Sequence, residues 1–280
     1  MTVPARLAAF AVALGLVLFA AVGLGKAVGP TNRADNQPTS GHGTMGDDHT
    51  MAVQGLSVAN EDFRLVADTS GFEVGRPAAF RFRIVDRNGR AVRDFALEHT
   101  KKLHLIVARR DLTRYQHLHP VEQADGSWTV PLTFSDPGTY RVFADFTAHG
   151  SDRATLGTDV IVPGPSAGEP LPAPVESVSV DGYDVSITST GDRGEERALD
   201  FAVTREGRPV HVEPYLGADG HLVVLRQGDL AYLHAHPEED GQGGPIRFMV
   251  EYPSAGTYRL FLQFKDAGRV HTVAFTQEVQ

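Results

Sequence analysis

The stretch Asp136-Pro-Gly138-Thr-Tyr140-Arg-Val142 decides the fold, and Ser254-Ala-Gly256-Thr-Tyr258-Arg-Leu260 repeats its pattern further along the chain. In each copy a Gly-x-Tyr step opens a segment in which apolar and polar residues alternate, which is the period of a β-strand. A tyrosine early on such a strand matches the tyrosine corner, in which the phenol hydroxyl bonds to backbone a few residues upstream. The recurrence predicts two sandwich domains.

Segments of the same period surround both corners. Phe80-Arg-Phe82-Arg-Ile84 precedes the turn Asp86-Arg-Asn88-Gly89, and Leu199-Asp-Phe201-Ala-Val203 precedes Arg205-Glu-Gly207. Further predicted strands cover 103–108, 128–134, 139–146, 155–162, 183–189, 221–226, 246–252, 257–264 and 270–278. The sequence therefore predicts an all-β chain, with two tandem immunoglobulin-like β-sandwich domains after an N-terminal hydrophobic helix.

The N-terminus predicts export. Arg6 precedes an uncharged run of nineteen residues, 7–25, and Lys26 closes it. Such a run is either a secretory signal or a single membrane span. Its length favours an uncleaved anchor over residues 1–27, which makes the chain a single-pass cell-membrane protein with its domains outside the cytoplasm. Cleavage near Ala27, giving a secreted protein, is the alternative.

Two linkers divide the rest of the chain. Residues 28–55 are polar and contain two histidines and two methionines, at His42, Met45, His49 and Met51. Thioether and imidazole together favour soft ions such as copper(I), although flexible tethers also collect such residues by chance. Residues 163–174 hold five prolines and predict a semi-rigid spacer. The predicted sandwich domains are therefore 56–162 and 175–280.

The composition excludes several classes of function. The chain has 280 residues, no cysteine and a formal net charge of −9. Without cysteine it can form no disulfide, no thiolate metal site and no cysteine nucleophile. The acidic balance, without a basic run or stripe, argues against nucleic-acid binding. The length suits two domains plus a tail, and the hydrophobic content of 41% is enough for two cores.

Histidines recur in one pattern in both predicted domains. One copy reads His-Leu-Ile-Val and then Tyr-Gln-His-Leu-His-Pro, and the other reads His-Leu-Val-Val and then Tyr-Leu-His-Ala-His-Pro. The second histidine lies thirteen positions after the first, and the third follows two positions later, in both copies. Because imidazole is the commonest protein ligand for transition metals, the pattern predicts metal binding. The predicted ligands are His104, His117, His119, His221, His234 and His236.

The spacing suits such a site. Residues two apart on a strand share a face, and thirteen residues suit a hairpin that returns near the first histidine. Pro120 and Pro237 cannot donate to a β-ladder, so they are expected to end their strands at an edge or rim. The spacing leaves open whether the two sets of histidines bind separately or share a site.

The metal and the alternatives follow from the ligands. Imidazoles accept copper, zinc or nickel, and the Met/His linker favours copper, with zinc as the alternative. Alternatively, the histidines have a structural role. They would then form hydrogen bonds with the loop after the strand, with Tyr115 and Tyr232 packed beneath them. His99 is a further candidate for the first set. Candidate acceptors for imidazole N–H groups are Glu98, Asp111 and Asp229.

With these motifs the chain resembles a group of largely uncharacterised exported bacterial proteins, marked by Leu-His-Leu-Ile-Val, Arg-Asp-Leu and His-Leu-His-Pro segments. The resemblance covers most of 90–162 and 207–280. It implies an extracytoplasmic role in copper or heavy-metal handling. In architecture the chain is also similar to periplasmic copper-carrying immunoglobulin-like proteins, but it lacks their N-terminal histidine. It lacks the disulfide cysteines of copper–zinc superoxide dismutase, which sets a His-x-His on such a sandwich.

Three functions are compatible with the sequence. The first is a membrane-tethered, non-enzymatic metal-binding protein that buffers or delivers copper or confers copper resistance. Its partners would be the metal ion, the membrane through residues 7–25 and an envelope protein, with no nucleic acid. The second is an envelope adhesion or scaffold module with structural histidines. The third is a redox or hydrolytic metalloenzyme that uses an open coordination position.

Overall fold

A computed structural model of the chain describes residues 53–191, 196–238 and 244–280. These residues form eighteen β-strands, which confirms the predicted all-β class. Within these ranges no helix has the length and apolar character needed to cross a membrane. The predicted anchor over 1–27, the N-terminal hydrophobic helix and the Met/His cluster at 42–51 lie outside the described residues.

The first sandwich contains two four-stranded antiparallel sheets, ordered β1-β2-β6-β5 and β4-β3-β7-β8. Its strands are β1 (Phe63–Ala67), β2 (Ala78–Asp86), β3 (Leu103–Arg109), β4 (Gln116–Leu118), β5 (Val121–Glu122), β6 (Trp128–Leu132), β7 (Gly138–Thr147) and β8 (Arg153–Val162). Apolar side chains from both inner faces fill the core between the sheets.

The second sandwich repeats this plan, with sheets ordered β14-β13-β17-β18 and β15-β16-β11-β10-β9, and with β12 paired to β11. Its strands are β9 (Ser177–Val180), β10 (Tyr183–Thr190), β11 (Glu196–Arg205), β12 (Arg208–Pro209), β13 (Gly220–Arg226), β14 (Tyr232–Leu233), β15 (Ala235–Glu238), β16 (Ile246–Glu251), β17 (Gly256–Asp266) and β18 (Arg269–Val279). It encloses a separate core.

Both tyrosine corners are present. The Tyr140 hydroxyl donates to the carbonyl of Asp136 at 2.9 Å, and the Tyr258 hydroxyl donates to the carbonyl of Ser254 at 2.8 Å. Both tyrosines are fully buried. The Gly-x-Tyr repeat therefore marks the same structural element in each sandwich, which confirms the prediction of two immunoglobulin-like sandwiches.

In each half the His-x-His-Pro segment carries the chain from one sheet to the other. In the first half Pro120 lies between β4 and β5, which belong to different sheets. In the second half His234 lies between β14 and β15, and Pro237 lies inside β15 opposite Phe248. Pro237 does not end its strand as expected. It is tolerated there because β15 is an edge strand, where the missing N–H costs no ladder bond.

The two sandwiches belong to one compact unit and share a third apolar cluster. The outer faces of β3 and β7 pack against those of β13 and β17, so β3 is buried along its whole length. The contacts are reciprocal. Tyr115 stacks on Phe261 of the second half with ring centroids 4.1 Å apart, and Tyr232 packs on Phe143 of the first half at 5.6 Å.

The proline-rich stretch is held against the first sandwich. The Glu169 carboxylate accepts hydrogen bonds from Arg109 at 2.8 Å and from Arg114 at 2.6 Å. The Glu169 backbone N–H donates to Asp111 at 2.9 Å, and Leu171 packs against the shared apolar cluster. These contacts hold the proline-rich stretch against the first sandwich and against the apolar cluster that both sandwiches share.

Candidate metal centre

His104 lies at the start of β3 and is almost completely buried. Its Nε2–H donates to the backbone carbonyl of Glu98 at 2.9 Å, so the neutral ring carries its lone pair on Nδ1. That Nδ1 lies 2.9 Å from Nε2 of His117. The carbonyl bond therefore aims a ligand nitrogen at the second histidine of the repeat.

His117 reaches this position through the predicted hairpin. It lies on β4 opposite Ile106 of β3, two residues beyond His104. Its Nδ1 bonds to Oε1 of Gln263 at 2.7 Å, and Gln263 belongs to the second sandwich. When Nδ1 donates to that oxygen, Nε2 carries the lone pair. The two inner nitrogens then face each other as acceptors, and a cation or a shared proton relieves their repulsion.

The third member, His221, comes from the second half, at the start of β13. Its ring stacks on those of His117 and His104, with centroids 4.4 Å and 5.3 Å away. Its Nδ1 is buried, and no group among the described residues forms a hydrogen bond with it. One nitrogen from each of these three rings lies within 4.8 Å of the other two. The centre therefore draws on both sandwiches.

Two further histidines border these three. The His119 ring lies 5.0 Å from that of His104 and 4.8 Å from that of His117, and its Nε2 is buried without a partner. His99 lies 5.7 Å from His221 between ring centroids, on a turn where its φ is +46°. Among the described residues, neither ring places a nitrogen close enough to join the other three as a fourth ligand atom. Both add an uncharged imidazole to the edge of the centre.

The remaining predicted ligands lie elsewhere. Nε2 of His234 bonds to Oε1 of Gln54 at 3.2 Å, and its ring packs on Tyr232. His236 is exposed on the edge strand β15. Both histidines line a small cavity that also contains Glu196. The structure thus brings together His104, His117 and His221, places His119 beside them, and holds His234 and His236 apart.

Burial keeps the clustered imidazoles uncharged. Desolvation is the largest effect on each of them, and it lowers the pKa of His117 to about 3 and the pKa of His221 well below the usual 6.5. It also lowers the pKa of His104, and the pKa of His119 falls to about 4. The neutral form that binds metal therefore predominates at physiological pH.

The acceptors around the rings differ in part from those predicted. Glu98 serves through its backbone carbonyl. Asp111 and Asp229 instead pair with Arg109 and Arg226, at 2.7 Å and 2.5 Å. Gln263 is absent from the predicted acceptors, because only the packing of the sandwiches brings β17 against β4. Its position in the sheet is the one feature that could have indicated its role, because Gln263 lies opposite His221 across β13 and β17.

The residues fit a transition metal. The centre offers three neutral imidazoles, two of them with their outer nitrogens held by oxygen acceptors and the third with an unpartnered buried nitrogen. Outer acceptors that orient imidazole ligands in this way are typical of protein metal sites. The donor set suits copper, zinc or nickel.

The fold and this centre define a class: tandem immunoglobulin-like sandwiches with imidazoles clustered between them. The chain belongs to the family described as Domain of unknown function (DUF8832), whose domain matches residues 57–162 and again residues 178–280. No curated protein sequence matches the chain.

The chain is also similar to several solved structures. Domains 4–9 of the surface layer protein SbsC are 14% identical over 77% of this chain and 30% of that one, with a TM-score of 0.24. Salmonella alpha-2-macroglobulin reacted with methylamine is 12% identical over 82% and 15%, with a TM-score of 0.29. The tandem Ig repeats of Dlar are 12% identical over 79% and 99%, with a TM-score of 0.21. The chain spans under a third of the first two, and these likenesses concern the fold alone.

Proposed function

We propose that this protein binds a transition-metal ion between its two sandwiches, through His104, His117 and His221. The observation that carries the proposal is the convergence of one nitrogen from each ring within 4.8 Å, with one of the three rings supplied by the second half. His119, His234 and His236, predicted as ligands from the repeat, are outside this set.

The physical support is the state of the ring nitrogens. A core built only for stability would place apolar side chains here, because a buried polar group without a partner costs about 1–3 kcal/mol. This centre holds buried, unpartnered nitrogens at His119 and His221. A bound metal ion would use such lone pairs. The arrangement therefore lowers the stability of the metal-free protein and favours metal binding.

The biological role is the one that the sequence predicts: copper buffering, delivery or resistance outside the cytoplasm, with zinc as the alternative metal. The support is the uncharged run at 7–25, which would tether the chain to the membrane, and the Met/His cluster at 42–51. The domains would then meet metal in the extracytoplasmic space.

Metal content tests the proposal. The full chain in detergent is exposed to equal copper, zinc and nickel, desalted and measured by mass spectrometry. To remove binding by the linker, the background variant carries serine at positions 42, 45, 49 and 51. We expect this background to retain about one metal ion per chain, and His221→Ala to lower the affinity at least tenfold.

The matched control is His211→Ala, since His211 is an exposed histidine of the same sandwich. It should leave the metal content unchanged. Equal metal in the background and in His221→Ala, with both folded, would contradict the proposal.

The second candidate, an envelope scaffold with structural histidines, is favoured by one contact. The 2.9 Å distance between His104 and His117 also fits an N–H···N hydrogen bond, which requires the other tautomer of His117 and a Gln263 amide turned so that its nitrogen faces Nδ1 of His117. This function predicts that partner binding survives replacement of all six repeated histidines. Pull-down of envelope proteins with wild-type and six-fold variant chains separates the two functions.

A further inference from the structure

The acceptor opposite His221 is an uncharged amide. Gln263 pairs with His221 across β13 and β17, accepts from His117 through Oε1, and donates through its amide nitrogen to Thr272 at 3.1 Å. A glutamate of the same size would make the familiar carboxylate–histidine–metal arrangement. The chain instead places a neutral group here.

The equivalent position in the first half does hold a carboxylate, but its charge is neutralised. Asp145 pairs with His104 across β3 and β7, and Thr155 occupies the place of Thr272. The buried Asp145 carboxylate accepts from Arg153 at 2.5 Å and 3.1 Å and from Thr155 at 3.1 Å. Two nitrogens of Arg153 thus form an ion pair with this carboxylate inside the protein. The two charges therefore persist as a pair with no net charge.

The acceptor of His104 is neutral as well, because Glu98 holds this ring through its backbone carbonyl. The ligands and the acceptors that orient them thus bring no net negative charge to an interior where His104 is 1% and His221 6% exposed. Burying an ion costs free energy that grows as the square of its charge, so a dication here costs about four times as much as a monocation.

We propose that the centre is selective for a monovalent cation, copper(I), over divalent zinc and copper. This inference rests on the proposed metal site. Three neutral imidazoles can satisfy a three-coordinate monocation, whereas zinc held by three imidazoles needs a further ligand at its fourth position, and structural zinc sites usually include anionic ligands. Silver(I) has the same charge and serves as a redox-inert probe.

The first test compares affinities on the linker background defined above. Copper(I) and silver(I) are titrated anaerobically against competing chelators, and zinc(II) and copper(II) are titrated in parallel. We expect the monocations to bind at least about a hundredfold more tightly than zinc(II). Tighter binding of zinc(II) or copper(II) would overturn the selectivity and leave the metal site intact. Absence of binding by all four ions would overturn the site itself.

Copper(I) binds many ligand sets well, so a second test isolates the charge. Gln263→Glu replaces the amide with a carboxylate of the same size. It should raise zinc(II) affinity at least tenfold and change silver(I) affinity less than about threefold.

The matched control is Gln277→Glu, at a partly buried amide of the same sheet that bonds to Tyr252 outside the centre. It should leave both affinities unchanged. An unchanged zinc-to-silver ratio in Gln263→Glu would show that charge does not set the selectivity. Circular dichroism and bound silver establish that each variant is folded.

Discussion

At the scale of single residues, two buried histidines of the second sandwich differ in how their nitrogens are used. His271 is 4% exposed, bonds to Asp181 at 2.8 Å and stacks on Phe264. His221 is similarly buried, but its Nδ1 has no partner. The first is a satisfied structural histidine. The second keeps a nitrogen that no group in the described part of the chain uses.

This difference predicts opposite effects of the same substitution. His221→Leu should stabilise the metal-free protein by about 1 kcal/mol, because it removes an unsatisfied buried nitrogen, while it abolishes metal binding. His271→Leu should destabilise the protein by about 0.5–1 kcal/mol, because it removes a hydrogen bond whose acceptor, Asp181, is half exposed and can be solvated by water. Denaturant unfolding of both metal-free variants measures the changes. Equal destabilisation by both would mean that His221 is structural.

At the scale of elements, β3 and β13 explain why the centre lies where it does. Each strand reads as an almost unbroken apolar run because one face lines its own core and the other packs on the neighbouring sandwich. Each strand also has a histidine as its second residue, His104 in β3 and His221 in β13. Packing the apolar runs together brings the two histidines together.

The proposed metal centre should therefore depend on the apolar contact between the sandwiches. Leu225→Asp places a charge in that contact, at a fully buried position of β13. We expect each sandwich to stay folded while the two halves separate, so that metal affinity falls at least tenfold. Metal titration with small-angle scattering measures both effects.

The control for this variant is Val270→Asp, at an exposed valine of β18. It should change neither the metal affinity nor the shape. Undiminished binding by separated halves would indicate that one sandwich suffices for the site.

At the scale of the whole molecule, the buried histidines set how stability depends on pH. Their folded-state pKa values lie below the unfolded value near 6.5, at about 3 for His117 and about 4 for His119 and His234. As pH falls, protons therefore bind the unfolded chain first. Stability present above pH 6.5 is lost between 6.5 and these lower values.

We expect the unfolding free energy of the metal-free protein to fall from pH 6.5 to pH 4, by about 1.4 kcal/mol per pH unit for each such histidine. Guanidinium unfolding at several pH values measures this slope. His119→Gln should reduce this slope by the contribution of about one proton, which is about 1.4 kcal/mol per pH unit. His149→Gln, at an exposed histidine, should not change it. A flat profile would contradict the burial that the structure assigns to these rings.

The sequence by itself determined the all-β class, the two sandwiches and their tyrosine corners. These features depend on the alternation of apolar and polar residues along a strand and on the turn next to it. A short segment of sequence is enough to encode both. Through the repeat the sequence also marked His104, His117 and His221 as candidates, together with His119, His234 and His236, because both halves carry histidines at the same offsets. Only the tertiary structure decided that the three share one centre, with His234 and His236 outside it. It also brought Gln263 to His117, two residues 146 positions apart. The physical reason is that the centre forms where two outer sheet faces meet, and that contact depends on packing between distant strands, which no local pattern records.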